Sequence, residues 1–333
     1  MFENKTILIT GGTGSLGQSL TKRLLTLPVK GIRLLSRNES AQVEMQRSFS
    51  DHENKLSFFI GDIRDYPRLT RALEDVDIVF HTAALKHVPV IEYNPFEAVK
   101  TNVIGTQNLI DACLEQDVEK VIGIGTDKAV SPLNTYGASK LLMEKIFVTA
   151  GNFMNPERHR TKFITLRYGN VFGSSGSVIP LWINQIKNKD KISITDTQMT
   201  RFSIMMDEAL DFILSAATIG KGSEIFVPKI LAYTIMDLKN ALSELLGDSE
   251  HKITGIRSGE KLHEILINQD EIRYTWEFND NYIIFNPMQS ESDIKEKYPG
   301  IKKVNNVPEF SSNIAEKISV SKLKELISVS GLL

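Results

Sequence analysis

One cysteine, Cys113, stands among 333 residues, so no intrachain disulfide and no cysteine-based metal cluster can form. A reducing compartment is expected. Six histidines are scattered without ligand spacing, so no metal is expected either. No apolar run approaches the roughly 20 residues that span a bilayer. The opening Met1-Phe2-Glu3-Asn4-Lys5 also lacks the charged stretch and apolar core of a secretory leader. The expectation is a cytoplasmic protein with no membrane partner. Neither sign of charge is in excess: 39 basic and 41 acidic side chains leave a net −2, which gives no electrostatic drive toward nucleic acid or an anionic surface. Internal repeats and low-complexity segments are missing as well.

What is present is a soluble composition, 41% hydrophobic and 24% charged, long enough for about two domains. Short β-branched runs alternate with stretches of helical period through the first half. Strands are predicted at 6–10, 32–35, 56–60, 78–81, 121–126 and 163–167, with helices near 65–73, 96–115 and 136–150. Leu16, Leu20, Leu24 and Leu27 keep one face of an intervening helix apolar. The pattern predicts an α/β fold, a Rossmann-type doubly wound parallel sheet, over residues 1–170. After Arg167 the rhythm changes, with Gly169, Gly173, Gly176 and Pro180 close together and helices predicted at 207–218 and 234–246. Residues 171–333 are therefore read as a smaller, mainly substrate-binding domain. It is expected to be discontinuous, with segments near 200–227, including a strand at 224–227, returning to the first sheet. The charged stretch 291–303 reads as solvated.

Three motifs carry chemistry. The first, Thr10-Gly11-Gly12-Thr13-Gly14-Ser15-Leu16-Gly17, follows a strand and opens a helix. Its glycines tighten the turn and let a pyrophosphate approach the backbone, while free amides and the helix dipole face the anion. The second, Tyr136-Gly137-Ala138-Ser139-Lys140, puts a phenol and an ammonium on one helix face. A tyrosine pKa near 10 makes a poor base at neutral pH, and a nearby cation favours the phenolate. The third, Gly125-Thr126-Asp127-Lys128-Ala129, places an acid and an amine at the carboxyl edge of the sheet, where ligands of such folds sit. A charged acid–base couple is required only if protons move at atoms besides the alcohol being oxidised.

The Gly-x-x-Gly-x-x-Gly spacing and Tyr-x-x-x-Lys resemble the short-chain dehydrogenase/reductase superfamily, in its extended branch that acts on nucleotide sugars. With Thr126-Asp127-Lys128, the strings around His81–Pro89, Arg167–Val171, Met199–Phe202 and Gly255–Glu264 sharpen the resemblance to UDP-N-acetylglucosamine 4,6-dehydratases. The C5-inverting type that begins pseudaminic acid synthesis is the closer match, because Tyr136 stands where longer, membrane-anchored C5-retaining relatives often carry methionine. Related chains often have serine where Gly125 stands, and the last 60 or so residues match least well.

The resemblance implies a tightly bound cofactor held by Gly11, Thr13, Gly14, Ser15, Leu16, Gly17, Ser36, Arg37, Asp62, Ile63, Ala83, Ala84, Lys86, Asn102, Tyr136 and Lys140. A hydroxyl and a guanidinium at Ser36-Arg37 suit a 2′-phosphate and favour NADP, although nearby Glu39 keeps NAD open. Asp62 reads either as an adenine contact or as a helix cap. Asn102 reads as a site-ordering residue or a plain helix polar group. Substrate contacts are implied for Lys86, His87, Asn170, Val178, Arg201, Arg257 and Glu260. Arg201 and Arg257 are matched to a UDP pyrophosphate or to surface carboxylates, and Glu260 to a ribose hydroxyl or to Arg257.

The implied catalytic set is Thr126, Asp127, Lys128, Tyr136 and Lys140. Tyr136, helped by Thr126 and Lys140, takes the C4 hydroxyl proton. Lys128, neutral, removes the C5 proton, and Asp127, protonated, donates to the departing C6 hydroxyl. Burial would favour both of those neutral forms, whereas direct pairing of the charged forms would oppose them, so the two groups are expected to stand apart. A homo-oligomer, dimer or hexamer, is also implied. The rival readings are a C5-retaining dehydratase, a UDP-sugar 4-epimerase and a cofactor-sensing regulator.

Overall fold

The computed structural model describes residues 1–155, 157–173, 177–305 and 307–333, with the main chain only at Phe153. Gly176 lies outside the described residues. Ten strands form the main sheet. In chain order they are β1 Thr6–Thr10, β2 Gly31–Ser36, β3 Leu56–Ile60, β4 Ile78–His81, β5 Lys120–Ile124, β6 Lys162–Leu166, β7 Glu224–Pro228, β8 Thr275–Phe278, β9 Asn281–Phe285 and β10 Lys302–Lys303. Their spatial order is β10-β8-β9-β7-β6-β5-β4-β1-β2-β3. The seven from β3 to β7 run parallel, and β9, β8 and β10 extend the sheet antiparallel. The chain reverses its winding between β1 and β4, where Thr10 pairs with His81. A crevice opens at such a reversal beyond the carboxyl ends of the strands.

The strands read as near-continuous apolar runs because both faces are covered. Ile7 and Ile9 join one buried cluster and Leu8 the opposite one. Helices α1 Ser15–Leu25, α2 Gly105–Glu115, α3 Thr135–Ala150 and α4 Met206–Ile219 supply the covering layers. In α1, Leu20 and Leu24 lie one turn apart and are fully buried. The predicted strand at 224–227 does return to the sheet as β7, parallel to β6. A third cluster lies around α5 Ile235–Leu246 and α6 Val320–Val329, where Leu238, Leu242, Leu323 and Ile327 pack with Trp182 and Tyr233.

Two predicted elements differ. The single helix over 96–115 is broken into a turn at Pro95–Ala98, a π-helical turn at Val99–Ile104, and α2. The wider turn rotates Asn102 inward, where its side chain takes Leu85 N–H (2.8 Å) and donates to Leu85 O (3.0 Å) and Ser139 Oγ (3.0 Å). The stretch 291–303 is not simply solvated. Its helix, Glu291–Lys297, turns Ile294 into the core, followed by Tyr298 and Ile301, while Lys302–Lys303 becomes the sheet's edge. The charges lie on the outer face of an amphipathic segment, so charge density alone misled.

Candidate active site

A cavity of about 860 Å³ occupies the crevice at the carboxyl ends of the parallel strands. The turn between β1 and α1 forms one end. Gly11 holds φ +69°, and a Cβ on Gly17 would meet Gly12 O at 2.6 Å, so the helix can start this close to the turn only with glycine there. The first intrahelical bond here is Gln18 N–H to Gly14 O (2.9 Å), and Gly14 caps the helix without a side chain. The amides of Ser15, Leu16 and Gly17 precede that bond on the cavity wall, with no side-chain cap to occupy them. A dinucleotide pyrophosphate fits that cradle.

Thr13, Ser36, Arg37, Asp62, Ile63, Ala83, Ala84 and Lys86 line the same end. Arg37 is exposed and lies 3.7 Å from Asp62, which Arg64 holds at 2.7 Å. Burial works against ionisation of Asp62, yet the Arg64 guanidinium and amide keep its carboxyl below the ordinary range. Asn102 does not reach the cavity; it braces the loop after β4 against α3.

At the other end stand Thr126, Lys128, Tyr136 and Lys140. Asn134 starts α3 by accepting Gly137 N–H at 2.8 Å, which sets Tyr136 in the first turn and Lys140 one turn on. A Cβ on Gly137 would meet Lys128 O at 2.2 Å, so glycine lets that turn sit against the Lys128 backbone. Burial raises the Tyr136 pKa, with Lys128 and Thr126 acting to lower it. Lys140 Nζ donates to Ile124 O (2.6 Å) and lies 3.1 Å from Met143 Sδ, and burial lowers its pKa to about 8 against the pull of Glu144.

The expected separation of Asp127 and Lys128 is not found. Lys128 Nζ donates to Asp127 Oδ1 at 2.9 Å and to Asn170 Oδ1 at 3.1 Å, and lies 3.6 Å from Glu264 Oε1. Burial would lower the Lys128 pKa, but the carboxylates of Asp127 and Glu264 raise it above its ordinary value, so it rests as an ammonium. Asp127 is fully buried and is not part of the cavity wall. Coulomb attraction at contact distance outweighs desolvation here.

The residues matched to substrate also converge. His87, Asn170, Val178, Arg201, Arg257 and Glu260 line the cavity. Arg257 and His87 are exposed. Arg201 is buried and its guanidinium pairs with the Glu260 carboxylate at 3.2 Å, whereas Glu260 meets Arg257 through that residue's backbone: Arg257 N–H donates to Glu260 Oε2 (3.4 Å) and Glu260 N–H to Arg257 O (3.0 Å). Sequence reasoning missed Lys261 and Glu264 on the wall. Their signal was the charged run Glu260-Lys261-Leu262-His263-Glu264, of which the first four are partly buried and Glu264 is buried.

A family model described as polysaccharide biosynthesis protein matches residues 7–286. The chain belongs to that family. It is 47% identical to a UDP-N-acetylglucosamine 4,6-dehydratase (inverting) of Campylobacter jejuni, over 94% of this chain and 88% of that one. It is 40% identical to a UDP-glucose 4-epimerase of Rickettsia felis, over 98% and 96%. Among solved structures, Pen from Bacillus thuringiensis superposes with a TM-score of 0.91 at 38% identity, covering 100% of this chain and 99% of that one. Family members thus include enzymes that act on UDP-sugars. No helix among the described residues is long and apolar enough to cross a membrane.

Proposed function

We propose that this chain is a UDP-N-acetylglucosamine 4,6-dehydratase of the inverting type. Its product is UDP-2-acetamido-2,6-dideoxy-β-L-arabino-hex-4-ulose, which opens a pseudaminic acid-type pathway. The observation that carries the reading is Lys128 on the cavity wall beside Tyr136, an acid–base group beyond what alcohol oxidation needs. The inverting relative at 47% identity supports it. The chemistry a nicotinamide dinucleotide supplies when bound is reversible hydride exchange, and NADP is the form that Ser36 and Arg37 favour. Residues 1–170 carry that nucleotide and the later segments carry the UDP-sugar, in a cytoplasmic homo-oligomer.

In this reading Tyr136 takes the C4 hydroxyl proton, with the Thr126 hydroxyl and the Lys140 ammonium supporting the phenolate. The resulting ketone acidifies C5–H, and Lys128 removes that proton once its own has left. Arg201 and Arg257 meet the pyrophosphate, Glu260 holds Arg201 in place, and His87 and Val178 shape the sugar pocket.

The Rickettsia epimerase favours a second reading, because 4-epimerisation shares the first oxidation and needs no elimination. Incubation with UDP-N-acetylglucosamine in D₂O, followed by NMR, separates the two. A C6 methyl with deuterium at C5 and inverted coupling is the expected product. UDP-N-acetylgalactosamine as sole product overturns the dehydratase reading.

A further inference from the structure

Ser36 and Arg37 line the nucleotide end of the cleft, and a side chain behind that wall fixes which way the Ser36 hydroxyl points. The side chain is Gln42, 5% exposed and off the wall. It comes from the helix Glu39–Ser48, which Asn38 starts by accepting Ala41 N–H at 3.1 Å. Gln42 Nε2 lies 3.0 Å from Ser36 O, 2.8 Å from Phe59 O and 2.9 Å from Ser36 Oγ. Backbone carbonyls only accept, so the atom that faces them is the amide NH₂ and not the amide oxygen. An amide nitrogen only donates, so Ser36 Oγ must be the acceptor in its contact with Gln42. The Ser36 hydrogen is thereby turned away from Gln42, and it has no acceptor among the described residues. The open side of Ser36 is the cleft.

We propose that Gln42 is a positioning residue for coenzyme choice: by donating to Ser36 Oγ it commits the Ser36 hydroxyl to donate into the cleft, toward the 2′-phosphate of NADP. This rests on the NADP reading of that end of the site. Ionised phosphate oxygens accept, so they can take the Ser36 O–H and the Arg37 guanidinium together. The 2′-hydroxyl of NAD also has a proton to donate, and a site built for NAD sets an acidic residue at the end of the second strand to accept it. Here a donor stands at that place, and Asp62, the carboxylate beside Arg37, is taken by Arg64 at 2.7 Å. The same Gln42 amide ties the ends of β2 and β3 to one helix, so the direction of the hydroxyl follows from the packing of three elements. Without the amide, the Ser36 hydroxyl is free to rotate away from the cleft.

The test equilibrates the full chain and its S36A, Q42M and S36A/Q42M variants with NADP and NAD in equal excess, then quantifies the nucleotide each protein retains. The NADP-to-NAD ratio is the readout, because a merely structural loss weakens both coenzymes alike. The unaltered chain should retain mostly NADP. S36A should lower the ratio about tenfold or more, the loss of one hydrogen bond to a charged group. Q42M, close to glutamine in length, should lower it about three- to tenfold. The double variant should match S36A within about twofold, because Gln42 acts on the phosphate only through Ser36. An unchanged ratio in either single variant overturns the proposal, and so does a double variant whose loss is the product of the two single losses. S36A removes only a hydroxyl, so its arm decides even where Q42M fails to fold. If the unaltered chain retains NAD as readily as NADP, the NADP reading itself falls.

Discussion

Arg37 illustrates how little a single side chain needs in order to set a preference. It stands exposed at the cavity end, 3.7 Å from Asp62, whose charge is already claimed by Arg64 at 2.7 Å. That leaves the Arg37 guanidinium able to meet a phosphate with two parallel hydrogen bonds. A hydrogen bond to a charged group contributes about 1.5–3 kcal/mol, so Arg37→Ala should weaken NADP by roughly 10- to 100-fold and NAD much less. Titration calorimetry with both nucleotides checks it, and equal losses would remove the phosphate contact. Lys128 shows the opposite case, where neighbours decide what a residue does. Its sequence position suggested a free base, yet the carboxylates around it hold its proton, and any base role must begin by moving that proton.

At the scale of elements, the end of β5 and the face of α3 are fitted to each other around Gly125. A Cβ there would meet Glu144 Oε1 and Leu166 O, each at 2.5 Å. Glu144 cannot step aside, because Arg167 grips it at 2.7 Å and is itself held by Glu271 at 2.9 Å, with Arg167 and Glu144 fully buried. A serine side chain therefore does not fit here. Gly125→Ser should cost about 1–3 kcal/mol through overpacking, read as a lower midpoint in urea with an unchanged slope. A variant as stable as the parent would mean that Glu144 and Arg167 can repack. The π-helical turn before α2 follows a similar logic, since one wider turn points Asn102 at Leu85 and fixes the loop after β4.

At the scale of the whole molecule, acid stability depends on a group at the centre of the sheet. His81, at the end of β4, is fully enclosed between Thr10 Oγ1 (2.8 Å from Nδ1) and Thr106 Oγ1 (3.3 Å from Nε2), and stacks on Phe147. Burial and the Lys140 charge lower its pKa from 6.5 to about 3. Below pH 6.5 the unfolded chain binds a proton that the folded chain refuses, so stability is fully present above 6.5 and is lost as pH falls toward 3. Between pH 7 and pH 5 this one group should remove about 2 kcal/mol. Urea unfolding at the two pH values should show that loss, and His81→Gln should abolish that part of it. An undiminished pH dependence in the variant would assign it to the carboxylates.

The sequence by itself determined the parallel strands, the glycine turn and the tyrosine–lysine helix, because each is written in residues a few positions apart, as periodicity or as a local motif. Even the return of residues 224–228 to the sheet was legible as a β-branched run. Tertiary structure alone decided which charges meet. Lys128 and Glu264 are far apart in the chain, and only the packing of the later segment over the sheet edge brings them to 3.6 Å. It also decided that Asp127 is buried behind the cleft wall, bonded to Thr126 and Lys128, and that the charged stretch after Ser290 buries Ile294 and Tyr298. Local patterns fix backbone geometry, but a protonation state is set by every charge within a few ångströms, and that neighbourhood exists only once the chain has folded.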